Sequence, residues 1–212
     1  MIVGVLGAGQ LGKMLALAGY PLGLKFRFLD PSPDSPAAAL APCVTADYSD
    51  EAALERFAAD VDCITYEFEN VPLAAAHFLA ARTTVFPPPK ALETAQDRLA
   101  EKRLFTQLSI PTTRFAVVDD RSDLTNATRE IGLPAVLKRR RMGYDGKGQA
   151  VIRSEAEAEA AWLELGGAPL ILEEFVKFDR EVSLISVRGA CGRRLSYPLS
   201  QNRHENGILR VS

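Results

Sequence analysis

The segment from Ala135 to Ile152 constrains the fold more than any other part of the chain. A short apolar run, Ala135-Val136-Leu137, leads into Lys138-Arg139-Arg140-Arg141-Met142-Gly143-Tyr144-Asp145-Gly146-Lys147-Gly148-Gln149, and a second apolar run, Ala150-Val151-Ile152, follows. The pattern reads as strand, glycine-rich loop, strand. Gly143, Gly146 and Gly148 leave backbone N–H groups free to turn toward an anion, and Lys138 and Lys147 add point charges suited to phosphate. A tight hairpin needs only one or two turn residues, and this loop is longer and more basic. Two readings remain: a solvated basic loop, or a cradle for a nucleotide's phosphates. The second accounts for the glycines as well as the charge.

Length and composition narrow the classes. A chain of 212 residues can bury a substantial core in one large domain or two small ones. Apolar residues at 47% and charged residues at 25% describe a globular protein, and a formal charge of −2 gives no global field for nucleic acid or an acidic membrane. Cys43, Cys63 and Cys191 have neither paired spacing nor an even count, so reduced thiols are expected rather than disulfides or a zinc site. Lys13 is the first basic side chain and glycines interrupt the N-terminal apolar run, which reads as a buried strand instead of a signal peptide. With no run of roughly 18 apolar residues, a cytoplasmic protein that binds neither membrane nor nucleic acid is expected.

The first part of the chain alternates strand and helix. Strands are expected at Ile2 to Leu6, Phe26 to Leu29, Cys63 to Tyr66 and Thr84 to Phe86. Helices are expected at Gln10 to Ala18, Glu51 to Ala59 behind an Asp50 cap, and Leu73 to Ala81 behind Pro72. Such alternation implies a parallel, doubly wound sheet. Pro87-Pro88-Pro89 marks a module edge, after which Ala91 to Leu108 has helical periodicity. Strands at Phe115–Val118, Ala135–Lys138, Ala150–Arg153 and Leu170–Val176 then form an α+β module with two short helices, for which Ser122 and Ser154 are the candidate N-caps and Gly132 and Gly166 the stops. Val182–Val187 and Leu195–Leu199 read as two further strands.

Gly7-Ala8-Gly9-Gln10-Leu11-Gly12 satisfies G-x-G-x-x-G between a strand and a helix, and Asp30 closes the second strand. That is the dinucleotide fingerprint with its context. Physically, a tight turn and an open helix N-terminus bind any phosphate. Leu29-Asp30-Pro31-Ser32-Pro33 also turns sharply where an adenine pocket would need room. An NAD(P)-dependent oxidoreductase and a catalytically dead nucleotide-binding module therefore stay open beside an ATP-using enzyme.

Several segments occur in one order at compatible spacings: Gly7–Leu15 (GAGQLGKML), Tyr66–Val71 (YEFENV), Arg98, Lys138, Gly143–Gln149 (GYDGKGQ), Glu173–Val176 (EEFV) and Gln201–Arg210 (QNRHENGILR). Together they resemble the 5-(carboxyamino)imidazole ribonucleotide synthases, ATP-grasp ligases of purine biosynthesis. Tyr144-Asp145 ahead of the GKG sets the chain apart from biotin carboxylase and the glycinamide ribonucleotide enzymes. The resemblance implies an α/β fold: a Rossmann-like pre-ATP-grasp parallel sheet (1–89), an α+β ATP-grasp small subdomain (90–180) and the start of a second ATP-grasp subdomain (181–212). It implies ATP as cofactor with Mg²⁺, or Mn²⁺ in its place, aminoimidazole ribonucleotide and bicarbonate as substrates, and a homodimer for the full-length family.

The same resemblance assigns residues. Arg98 and Lys138 match ATP-phosphate contacts. Gly143, Tyr144, Asp145, Gly146, Lys147, Gly148 and Gln149 match the loop that closes over the phosphates, with Tyr144, Asp145 and Lys147 also near the reacting amine as catalytic candidates. Glu173, Glu174, Phe175 and Val176 match the strand whose backbone reads adenine, Glu181 the ribose contact, and His204 a further nucleotide-site position. Gly9, Gln10, Leu11 and Glu69 match the ribonucleotide pocket. Glu67 and Glu69 are expected on one face of an extended strand end. The family's metal ligands lie beyond Ser212, so no metal ligand is expected in this stretch and the chain reads as C-terminally truncated.

Overall fold

A computed structural model of the chain describes residues 1–143, 148–166, 169–205 and 208–212. The chain divides into two compact units, Met1–Glu101 and Lys102–Ser212.

In the first unit, β1 (Ile2–Leu6), β2 (Lys25–Asp30), β3 (Cys43–Thr45) and β4 (Cys63–Tyr66) form a wholly parallel sheet in the order β3-β2-β1-β4. Helix α1 (Gln10–Gly19) joins β1 to β2, α2 (Glu51–Ala59) joins β3 to β4, and α3 (Leu73–Ala80) and α4 (Pro89–Ala95) follow β4. One core brings Leu54 and Phe57 of α2 and Leu79 of α3 against Leu6, Leu29 and Ile64. A second sets Ala16 of α1 beside Val5, Phe26 and Phe28. The doubly wound sheet expected from the alternation is present, with one strand, β3, that three residues were too few to announce. Asp50 caps α2 by accepting the Ala53 amide at 2.9 Å, which satisfies an N–H that would otherwise have no partner in the first turn.

Two expectations for this unit fail for local reasons. Thr84-Val85-Phe86 makes only an isolated parallel bridge, Ile64 to Val85. Pro87 follows at once and has no N–H with which to extend a ladder. The helix expected over Ala91 to Leu108 is two helices, α4 and α5 (Arg98–Gln107). The first closes at Gln96, and Asp97 turns its carboxylate onto the Leu99 amide at 2.9 Å, a local bond that caps the second.

In the second unit, β5 (Phe115–Val118), β6 (Ala135–Arg139), β7 (Gln149–Ile152) and β8 (Leu170–Glu174) pair antiparallel in the order β5-β8-β6-β7. Helices α6 (Arg121–Ile131) and α7 (Glu155–Glu164) bury Leu124, Ile131, Ala158 and Ala161 against one face, where Leu137, Ile152, Leu170 and Leu172 alternate inward. Ser154 caps α7, accepting the Glu157 amide at 3.2 Å. Ser122 does not cap α6: the acceptor is Asp120, paired with Asp123 in a reciprocal capping box, and Ser122 donates its hydroxyl to that same carboxylate. The expected Val182–Val187 strand is split between β9 (Glu181–Ser183) and β10 (Ser186–Arg188), which belong to different sheets. Leu195–Leu199 shrinks to β11 (Arg194–Ser196), and Pro198 stands in its lost end. The motif from Gln201 to Arg210 contributes two strands, β12 (Ser200–Glu205) and β13 (Ile208–Val211), which pair with each other, while β9 pairs with β12.

Candidate functional site

The glycine turn of the first unit encloses a carboxylate that belongs to the chain itself. The Glu67 amide donates to the Leu6 carbonyl at 2.9 Å and so extends the parallel register of β1 and β4 by one residue. From there its side chain reaches the turn, and Oε2 accepts the Gly9 amide at 2.5 Å. A Cβ built at Gly7 or at Gly12 would stand 2.9 Å from Glu67 Oε2, and one at Gly9 would collide with Oε1. All three motif glycines therefore make room for one carboxylate. Asp30 takes the neighbouring amide: Ala8 donates to its Oδ2, and Ser32 to its Oδ1, each at 2.8 Å. Amides that would hold a pyrophosphate in a dinucleotide enzyme are thus occupied by two anionic side chains, whose charge repels a phosphate.

The acidity of this corner registers on its neighbours. Burial pushes the Tyr48 phenol well above its ordinary range, and the charges of Asp30 and Glu67 push it further. Burial, then Asp30, raises the Cys43 thiol. The two glutamates of YEFEN do not share a strand face, because β4 ends at Tyr66 and residues 67–70 bend and turn. Glu67 is half-buried, whereas Glu69 is exposed, and no hydrogen bond or ion pair engages the Glu69 carboxylate among the described residues. Its backbone is fixed: the Gln96 side-chain amide donates to the Glu69 and Val71 carbonyls at 2.7 and 2.6 Å. Gly9 caps α1, and Gln10 and Leu11 stand exposed in its first turn. The structure therefore gathers Gly9 and Glu67 at one turn.

In the second unit the sheet face opposite α6 and α7 carries charge. Strand register sets Phe115 and Val136 opposite Glu173 on its two neighbouring strands, and alternation puts Lys138 on the same face. Lys138 Nζ donates to Glu173 Oε2 at 3.0 Å. The ammonium of Lys102, from α5, reaches that same oxygen at 3.3 Å. It also donates to the hydroxyls of Thr112 and Thr113 at 3.0 and 2.7 Å and lies 5.8 Å from the Phe115 ring centroid. Glu173 is only 6% exposed, and the side chains of Lys102 and Lys138 are 12% and 20% exposed. Two ammoniums on one carboxylate leave the cluster a single net positive charge.

Glu174 points off this face and pairs with Arg114 at 3.3 Å. Phe175 is half-buried and Val176 exposed just beyond β8. Glu181 Oε1 meets His204 Nδ1 at 3.1 Å and accepts the Asn202 amide at 3.2 Å, so the register of β9 and β12 brings Glu181 and His204 together. Arg98 opens α5 in the first unit. Gly143 and Gly148 flank the basic loop, and Gln149 starts β7 opposite Lys138. The loop closes where the Arg139 amide donates to the Gly148 carbonyl at 2.8 Å. Within the arginine run, Arg139 caps the end of α7 through the Leu165 carbonyl and Arg140 pairs with Asp119. Tyr144, Asp145, Gly146 and Lys147 lie outside the described residues. Among the described residues no group of three or more His, Cys, Asp or Glu side chains converges as a metal site.

Sequence reasoning missed Lys102. Its signal was present, since Arg98 and Lys102 stand four residues apart and share a helix face.

Both units resemble known proteins. Residues 1–96 match the ribonucleotide synthetase preATP-grasp domain, and residues 103–212 match the ATP-grasp domain. A Pseudomonas aeruginosa N5-carboxyaminoimidazole ribonucleotide synthase is 51% identical over all 212 residues, which cover 59% of its length. The crystal structure of N5-carboxyaminoimidazole ribonucleotide synthetase from Thermus thermophilus is 55% identical with a TM-score of 0.91, over 98% of this chain and 56% of that one. An Aspergillus clavatus N5-carboxyaminoimidazole synthase solved with ADP and 5-aminoimidazole ribonucleotide is 26% identical with a TM-score of 0.88, over 98% and 55% of the two chains. The chain thus spans somewhat over half the length of these relatives. It belongs to the ATP-grasp family, and over its whole extent it is similar to the N5-carboxyaminoimidazole ribonucleotide synthases within it.

Proposed function

We propose that the chain is the nucleotide- and ribonucleotide-binding part of a ligase that carboxylates 5-aminoimidazole ribonucleotide. In the reaction a bicarbonate oxygen attacks the γ-phosphorus of ATP and ADP leaves. The exocyclic amine then attacks the carboxyphosphate carbon, phosphate departs, and the amine loses its proton. The product is 5-(carboxyamino)imidazole ribonucleotide.

The observation that carries this reading is the Lys102–Glu173–Lys138 cluster, set where β6 leads toward the glycine loop. A half-buried lysine at a strand end, in a cluster with surplus positive charge, is suited to a transferring phosphoryl group. We assign Arg98, Lys138 and the loop from Gly143 to Gln149 to the phosphates, the backbone of Glu173 to Val176 to adenine, and Glu181 with His204 to the ribose side. Gly9, Gln10, Leu11 and Glu69 are assigned to the ribonucleotide, and Tyr144, Asp145 and Lys147 to the reacting groups, with Asp145 orienting the amine. The loop's closure would exclude water from carboxyphosphate. Mg²⁺ would travel with the nucleotide; the described residues offer no ligand set for it, and no step here depends on one. The proposal divides the chain at 1–89, 90–180 and 181–212 and includes a cytoplasmic homodimer. Among the described residues no helix is long and apolar enough to cross a membrane.

Thermal shift tests the nucleotide assignment. Stabilisation by ATP·Mg²⁺ or ADP but not by NAD(P)H is expected, and the reverse pattern overturns it.

A further inference from the structure

We propose that Lys102 is a positioning residue that serves as the standing counter-ion of Glu173, freeing Lys138 to move onto a nucleoside triphosphate. The inference rests on the nucleotide reading above.

Its basis is an asymmetry between two lysines that share one oxygen. Lys102 is held from several sides, by Glu173 Oε2, by the hydroxyls of Thr112 and Thr113 and by the Phe115 ring. Lys138 has Glu173 Oε2 as its polar partner among the described residues and is the more exposed of the two. Among the described residues one ammonium is held by several groups and the other by one carboxylate oxygen.

The chemistry of the ligand makes the difference matter. A phosphate that draws Lys138 away removes one of two cations from a carboxylate that is 6% exposed. Stripping the last partner from a buried charge is strongly unfavourable, because neither water nor protein then compensates it. With Lys102 in place Glu173 keeps a cation at 3.3 Å throughout. Without Lys102, every phosphate contact made by Lys138 would come at the expense of Glu173. The anchored lysine thereby sets how strongly the mobile one can bind.

Two measurements test this, one of them free of ligand. In a melting cycle over Lys102→Met, Lys138→Met and the double variant, each single variant leaves Glu173 one cation. The double variant should lose more thermal stability than the sum of the singles, and Glu173→Gln should restore it. Loss of any transition in the double alone counts as the same outcome, and additive shifts overturn the proposal. In calorimetry with ATP·Mg²⁺, Lys102→Met should weaken binding about tenfold or more, and adding Glu173→Gln should bring it back to within about threefold of the unaltered chain. Lys102→Arg should bind nearly as the unaltered chain does. An unchanged affinity in Lys102→Met, or no recovery on neutralising Glu173, overturns the role. Absence of ATP binding by the unaltered chain overturns the nucleotide reading instead, and the melting cycle still decides the counter-ion coupling.

Discussion

Glu67 and Gly9 are joined by a 2.5 Å hydrogen bond in which the turn amide donates to the carboxylate, fifty-eight residues away in the chain. The bond ties the glycine turn after β1 to the end of β4, and it explains the glycines without any bound phosphate. Gly12→Ala should therefore be costly although alanine favours helices. Its methyl would lie 2.9 Å from Glu67 Oε2 and 3.2 Å from the Gly7 carbonyl, and the backbone atom cannot swing aside. Destabilisation of about 1–3 kcal/mol in urea unfolding is expected, the scale of an overpacked site. An unchanged midpoint would mean that the turn is looser than its packing indicates.

Tyr66 offers a test at high pH. Burial raises its phenol from the ordinary value to about 12, so the folded chain holds that proton more tightly than the unfolded chain does. Stability from this group is full below about pH 10 and is lost as pH climbs from 10 toward 12. The Tyr66 hydroxyl is also buried without a hydrogen-bonding partner among the described residues. Tyr66→Phe should thus match or slightly exceed the parent's stability at neutral pH, and its stability should fall less steeply between pH 10 and 12. Parallel alkaline unfolding curves for the two proteins would contradict this.

Much of the fold was legible because it is local. The expected bounds of the helix from Glu51 to Ala59 match the structure, since Asp50 is a strong cap and the apolar spacing is regular. The parallel sheet followed from the alternation of elements. Boundaries failed where a side chain or proline competed with the ladder, as at Asp97 and Pro87. The site was harder to read for a physical reason: its partners are distant in sequence. Glu173 meets Lys102 and Lys138 only because sheet register and α5 bring them together. Likewise the G-x-G-x-x-G pattern records that something must fit inside the turn, and a side-chain carboxylate fills it as readily as a ligand.

Removing the Lys138 ammonium separates binding from folding. Glu173 keeps Lys102 as counter-ion at 3.3 Å, so Lys138→Ala should stay folded. Loss of a charged hydrogen bond to phosphate should weaken ATP binding by about 1.5–3 kcal/mol. Calorimetry on a variant with an intact melting transition makes the comparison, and an unchanged dissociation constant would remove Lys138 from the phosphate site.

The two glutamates of the YEFEN turn should behave as opposites. Glu67 satisfies the Gly9 amide, so Glu67→Ala opens a hole within the turn and leaves a donor without its acceptor, which costs stability before any ligand is added. Glu69 is exposed, and its carboxylate has no partner among the described residues. Glu69→Ala should therefore change stability by less than about 0.5 kcal/mol, as surface substitutions generally do. If Glu69 faces the ribonucleotide, the same variant should bind 5-aminoimidazole ribonucleotide more weakly while its affinity for ATP is kept. Calorimetry with each ligand on one preparation distinguishes the outcomes. Equal loss of both affinities would point to a disturbed fold, and no loss of either would take Glu69 out of the pocket.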